Sequence, residues 1–154
     1  MAKKCIFGPI LSRRLGSSLG INLLSYKTCS LDCIYCECGV TTNLTVERKE
    51  YVPTSQVMKD LKEYSRSPRF RSAPPSWVTF AGWGEPTLHS ALGEIAHFIK
   101  KLFPEQKLVL LTNGTLFALY DELLKEVEEM DLIIPSLDAA SPEAFQAINR
   151  PHPQ

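Results

Sequence analysis

"KLVLLTNG", residues 107–114, sets four apolar side chains in a row, Leu108 to Leu111, and then stops at an Asn-Gly turn. A strand with one wet face alternates apolar and polar residues. An unbroken apolar run predicts a strand covered on both faces, as in a parallel sheet flanked by helices. The segments on either side repeat that logic. Upstream, residues 90–103 place Leu92, Ile95, Ile99 and Leu102 on one helical face, closed by Pro104. Before them, "WVTFAG" (77–82) reads as a strand. Downstream, a helix over 116–129 carries Tyr120, Leu123, Leu124 and Val127 as its core stripe, and "DLIIPSLDA" (131–139) reads as another strand. Ser141 caps a last helix with Pro142 at its first position.

Nearer the start, "SLGINLLSY" (18–26) is the first strand of this series. "PTSQVMKDLKEYS" follows as a helix capped by Thr54 or Ser55, with Val57, Leu61 and Tyr64 on one face. Residues 39–53 are polar and β-branched and read as a small hairpin or an excursion; 66–76, with Pro68, Pro74 and Pro75, reads as a loop. Strand then helix, four times over, predicts an α/β fold of parallel βαβ units with right-handed crossovers. Ligand sites in such folds gather at the carboxyl ends of the strands. The turns "GWGEPT", "TNGT" and "SLDAAS" all fall there, and so does the loop after the first strand.

That loop is "KTCSLDCIYCECG", residues 27–39, which holds four of the five cysteines. Composition frames how they are read. At 154 residues, 44% hydrophobic and 22% charged, the chain suits one domain with a sizeable core. Seventeen basic residues balance seventeen acidic ones, so no bulk field favours nucleic acid or anionic lipid. Lys3, Lys4, Arg13 and Arg14 cluster locally, as do Arg66, Arg69 and Arg71, which read as a solvated surface. No apolar run approaches the ~20 residues that span a membrane, and Arg13 and Arg14 interrupt any signal-peptide core. The expectation is a cytoplasmic protein, in which Asn43-Leu44-Thr45 is no glycosylation acceptor and clustered cysteines lean towards metal or redox chemistry rather than disulfides.

Cys29, Cys33 and Cys36 form C-x-x-x-C-x-x-C. One short loop can wrap three thiolates around one side of a cubane cluster, leaving one iron open for a non-protein ligand. Cys38 sits awkwardly for the same cubane and reads as a non-ligand; Cys5 reads as a plain thiol. The spacing leaves other readings open: a zinc site completed by Cys38 or His89, or a four-cysteine electron-transfer cluster.

C-x-x-x-C-x-aromatic-C, with Tyr35 before the last cysteine, resembles the radical S-adenosylmethionine (radical SAM) superfamily. The resemblance implies that Cys29, Cys33 and Cys36 hold a [4Fe–4S] cluster whose open iron binds S-adenosylmethionine. It implies an enzyme in which electron donation yields methionine and a 5′-deoxyadenosyl radical that abstracts hydrogen from a substrate. "AGWGEPTLH" looks like the family's glycine-glutamate motif, matched by Gly82, Gly84 and Glu85, with Trp83 where many members carry a small residue. That motif contacts the cofactor's amino group. An ammonium wants backbone carbonyls and a nearby carboxylate, and glycine allows close approach. "TNG" (Thr112, Asn113, Gly114) and "SLDA" with Ser136 are similar to further cofactor contacts, and Tyr35 is expected near the adenine.

The flanks "FGPILSRRLGSSLGINLLSYKTCSLDCIYCECG" and "INRPHP" look like uncharacterised members grouped with wyosine-type tRNA-modifying enzymes. The charge balance does not favour tRNA as a partner. Arg13 and Arg14 either touch a substrate phosphate or carboxylate or pair with acidic side chains. The resemblance further implies a flavodoxin- or ferredoxin-like reductant. It also implies a partial (β/α) barrel with about four βα units of an expected six, so that 1–154 reads as one core domain incomplete at its C-terminus. The other outcome is a truncated, non-catalytic module that binds a cluster or zinc. No stretch specifies the substrate.

Overall fold

The computed structural model describes residues 5–153; Lys3 and Lys4 of the first basic cluster lie outside them. Seven strands form in chain order: β1 (Ile6–Ser12), β2 (Gly16–Ile21), β3 (Thr28–Cys29), β4 (Asn43–Leu44), β5 (Trp77–Phe80), β6 (Lys107–Thr112) and β7 (Leu132–Pro135). The helices are α1 (Thr54–Ser65), α2 (Pro68–Ser72), α3 (Leu92–Leu102), α4 (Leu123–Glu126) and α5 (Pro142–Asn149). The main sheet has the order β1-β2-β5-β6-β7. Strands β2, β5, β6 and β7 run parallel in register, so the four expected strands lie side by side in sequence order. The mixed α/β fold with a mostly parallel sheet is the one expected of a partial radical SAM barrel.

The sheet sorts its side chains by alternation. Leu19 and Ile21, Val78 and Phe80, and Leu108 and Leu110 share one face in a continuous core with Val57 and Leu61 of α1 and Leu92, Ile95 and Ile99 of α3. The other face carries smaller or polar groups, such as Ser18 and Thr79, whose hydroxyls meet at 2.5 Å. On β6, Leu108, Val109 and Leu110 are buried as the apolar run predicts, whereas Leu111 is partly exposed beside the carboxyl end. Among the described residues, no helix is long and apolar enough to cross a membrane.

Five local readings change in the structure. The sequence gives no sign of β1, because "FGPI" places Gly8-Pro9 inside it. Proline is tolerated only on an edge strand, and β1 is one, paired antiparallel to β2 with a register shift between Phe7 and Ile10. Residues 39–53 form no hairpin; β4 instead pairs in parallel with β3. Within 66–76, Ser67 caps the short helix α2, and neither Thr54 nor Ser55 caps α1, which Pro53 precedes. The expected helix 116–129 is split into a 3-10 turn (Thr115–Ala118) and α4. Its backbone bonds are largely i to i−3, as from Leu123 to Tyr120 and from Leu124 to Asp121. Leu123 and Val127 stay inside, and Leu124 turns outward.

Arg48 packs against that segment. Its guanidinium donates to the carbonyls of Thr87 and His89 and pairs with Glu122 (3.1 Å) and Glu126 (2.6 Å), with Tyr120 alongside. The side chain is almost fully buried. Removing it strands Glu126 and two carbonyls, so Arg48→Ala should cost about 3 kcal/mol, read as a lower urea midpoint at unchanged slope.

Candidate functional site

The carboxyl ends of β2, β5, β6 and β7 open on one cavity of ≈ 520 Å³. Its wall includes Cys29, Cys33, Tyr35 and Cys36 from the loop after β2. Gly82, Gly84 and Glu85 follow β5, Thr112 and Asn113 lie at the end of β6, and Ser136 follows β7. These ten residues, singled out from the sequence as cluster or cofactor contacts, therefore border a single space, whereas Gly114 of "TNG" lies outside its lining.

Backbone pairing sets the cysteine loop against the β5 loop. Thr28 N donates to Trp83 O and Glu85 N donates to Thr28 O, both at 3.2 Å, so Gly84 is clamped against Cys29's strand. Gly84 has φ +152°, and a Cβ there would overlap the Thr28 carbonyl oxygen. Gly82, at φ +130°, leaves room in the same way for the Asn22 side chain, whose Oδ1 accepts from Trp83 N at 3.0 Å. Beyond Cys29, turns close Cys33 O to Cys36 N and Cys36 O to Gly39 N. The loop's outer side is tied to the end of α5: Ile34 N donates to Ile148 O, and Leu31 bridges Pro151.

Glu85 is the hub of the wall. Its Oε1 accepts from Thr87 N (3.1 Å), Thr87 Oγ1 (2.6 Å) and Thr112 Oγ1 (2.7 Å), and Oε2 accepts from Asn113 N (2.6 Å). Burial pushes its carboxyl above the ordinary value, and these donors pull it part of the way back. The carboxylate thus stitches the β5 loop to the end of β6. Asn113 extends the stitch, with Nδ2 on Ser30 Oγ (2.9 Å) and within 3.6 Å of Cys29 Sγ. Tyr35 Oη donates to Asp138, and burial raises the phenol further. Ser136 is exposed at the rim.

Burial pushes the Cys29 thiol up to about 12. A metal bound there would have to displace that proton, as metal binding to thiols does in general. Burial would depress the Lys27 ammonium, but neighbouring Cys36, Cys29 and Cys38 outweigh it and hold it above the ordinary lysine value. Among the described residues, no three His, Cys, Asp or Glu side chains converge closely enough to hold a single metal ion.

The structure also places the remaining sequence candidates. Cys38 does line the cavity, and its Sγ donates to Gly82 O at 3.6 Å. His89 is buried elsewhere: Nε2 bonds to Val52 O (2.8 Å) and Nδ1 accepts from Ala91 N (3.2 Å), so neither ring nitrogen is open to a metal. Arg13 and Arg14 lie in the turn that enters the amino end of β2, the opposite end of the sheet from the cavity, and so do not face a substrate there. Cys5 is a buried core thiol, raised to about 11 by burial. Sequence reasoning passed over Lys27, Ser30 and Asn149, although "KTC" and "INRPHP" contain the first and last of them.

Comparison with known proteins agrees with this geometry. A GTPase Obg of Brachyspira hyodysenteriae is 37% identical over 150 residues, which is 97% of this chain and 21% of that protein. A UPF0026 protein of Synechocystis sp. is 39% identical, covering 95% of this chain and 52% of its own length. A UPF0026 protein of Methanocaldococcus jannaschii is 34% identical, covering 95% and 44%. The chain therefore spans about half the length, or less, of these curated relatives. The sequence profile described as "Radical SAM superfamily" matches residues 23–154, which takes in every residue lining the cavity, and the chain belongs to that superfamily.

Proposed function

We propose that this chain carries a [4Fe–4S] cluster on Cys29, Cys33 and Cys36, binds S-adenosylmethionine beside it, and uses the two to start a radical reaction. The observation that carries the reading is the shared cavity: three cysteines and seven further residues, from four separate loops, border one space. Membership of the superfamily supports an iron–sulfur function in general. Three thiols on one rim with open space beside them suit a cubane that needs three protein ligands and one free iron. A single zinc ion would want ligands converging on one point. When bound, the cluster supplies the electron that splits S-adenosylmethionine into methionine and a 5′-deoxyadenosyl radical, which takes a hydrogen atom from the substrate.

The chain's own residues supply the holding. Gly82 and Gly84 put bare backbone on the wall, where a Cβ would collide with Asn22 or with the Thr28 carbonyl. Glu85, with four donors already on its carboxylate, gives that wall its shape. Ser136 brings a hydroxyl to the rim, and Tyr35 brings a ring to the wall, with its own hydroxyl turned to Asp138. A flavodoxin- or ferredoxin-like protein would supply the electron, and residues 1–154 act as the core domain for this chemistry.

Anaerobic reconstitution tests the reading. The expected product is brown, holds about four irons per chain, and forms 5′-deoxyadenosine from S-adenosylmethionine under reduction. Cys33→Ala should lose both properties. A colourless protein with one zinc would overturn the proposal. A brown protein that never cleaves S-adenosylmethionine would favour a cluster-binding module without radical chemistry.

A further inference from the structure

Two of the three cysteines face a side-chain donor from a distant part of the chain, and a buried lysine shares their cavity. Asn113, at the end of β6, directs Nδ2 at Cys29 Sγ (3.6 Å). Asn149, the last residue of α5, directs Nδ2 at Cys33 Sγ (3.4 Å). Lys27, two residues before the motif, borders the same cavity as the cysteines, and its ammonium donates to Gly39 O at 2.5 Å.

Two of these donors are buried at a cost that the fold alone does not explain. Lys27 is 2% exposed. A lysine normally leaves its charge in water, and a buried ammonium needs a compensating partner. Among the described residues no carboxylate forms an ion pair with it. Its ammonium donates to a carbonyl oxygen, and the residue shares a cavity wall with the cysteines. Thiolates bound to iron would supply the missing negative charge.

Asn149 is 3% exposed, and its Oδ1 has no hydrogen-bond partner. The amide is held by its donor end only. Nδ2 reaches Cys33 Sγ and also Tyr35 Oη (3.2 Å). Tyr35 gives its own proton to Asp138, so towards Asn149 it can only accept. A metal-bound Cys33 thiolate likewise only accepts. The pair of acceptors dictates which way the amide faces, and the orphaned oxygen is the consequence.

We propose that Asn113 and Asn149, which donate to Cys29 and Cys33, and the buried charge of Lys27 on the same cavity wall are positioning residues for the cluster, and that together they hold its reduction potential up. The proposal rests on the reading of Cys29, Cys33 and Cys36 as cluster ligands. One electron added to a [4Fe–4S] centre spreads partly onto sulfur. Hydrogen bonds and positive charge at the sulfurs therefore stabilise the reduced form more than the oxidised one. Lys27 carries a full charge in a water-excluded position and has the largest effect of the three.

The test is a potentiometric titration of the reconstituted full chain, followed by electron paramagnetic resonance of the reduced cluster. Iron and sulfide are counted on each sample first. At the potential where wild type is half reduced, Lys27→Gln should hold wild-type iron but show a reduced-to-oxidised ratio about tenfold lower, a shift of ~59 mV to more negative potential for a one-electron couple. Asn149→Ala should shift in the same direction by less, and Lys27→Arg should return towards wild type. Loaded variants with the wild-type ratio would overturn the proposal. So would Lys27→Gln and Asn149→Ala chains that keep wild-type circular dichroism but bind no iron, because that outcome assigns the donors to assembly. A wild-type chain that binds no cluster fails at the earlier step and takes the cluster reading down with it.

Discussion

A Gly84→Ala chain should be mostly unfolded at a denaturant concentration where the wild type is intact. Gly84 sits at φ +152°, and the added methyl would overlap the Thr28 carbonyl oxygen. That carbonyl cannot retreat, because it accepts from Glu85 N while Thr28 N donates to Trp83 O on the other side of the glycine. Positive φ costs an L-residue ~1–2 kcal/mol and overpacking ~1–3 more, so the expected loss is about 3 kcal/mol or greater. Gly16→Ala is the control. Gly16 also has positive φ, +73°, but a Cβ there meets nothing within 4 Å. It should lose only the backbone term, about 1–2 kcal/mol. Equal midpoints for the two variants in urea would remove the steric argument. Any Gly84→Ala protein that folds should also load less iron, since the same pairing positions Cys29.

Glu85→Ala should cost about 3–5 kcal/mol. It leaves Thr87 N and Asn113 N, both donors that cannot turn into acceptors, with no carboxylate in a site closed to water. Thr112 Oγ1 loses its acceptor as well, and with it the link between the β5 loop and β6. Glu85→Gln keeps the volume but turns an amide N–H₂ towards a donor, so it should cost about 1–3 kcal/mol. The two variants also separate a pH effect. Burial raises the folded carboxyl above its unfolded value. A group raised in this way contributes stability that is fully present below the unfolded value, about 4.3. That contribution is lost as pH rises through the raised folded value. Wild-type unfolding free energy should therefore fall with rising pH across that window, and the Glu85→Gln chain should lack this component of the slope. An unchanged slope in that variant would place the titration on another group.

The parallel strands were legible because their signal is local. "WVTF" and "KLVLLT" are apolar runs bounded by turn residues, and the stripes Val57–Leu61–Tyr64 and Leu92–Ile95–Ile99 keep helical spacing and are all buried. β1 was not legible because Gly8-Pro9 reads as a break, and only its pairing with β2 makes it a strand. The segment 116–129 has a good helical stripe, yet Arg48, some seventy positions earlier in the chain, grips Glu122 and Glu126 and goes with a tighter winding. A contact of that separation leaves no periodic trace in the residues it bends.

The sequence by itself determined the order of strands, the end of the sheet where the loops gather, and the cysteine spacing. Each depends on residue type and on distance along the chain. Only the tertiary structure decided how those loops meet. It turned Glu85 from an open carboxylate into a hub with four donors, took His89 out of reach, and sent Arg13 and Arg14 to the far end of the sheet. It also brought Asn113 and Asn149 to Cys29 and Cys33 from distant parts of the chain. The reason is physical. A buried polar group must find its partners in space, and the partner's position along the chain plays no part in whether the bond forms.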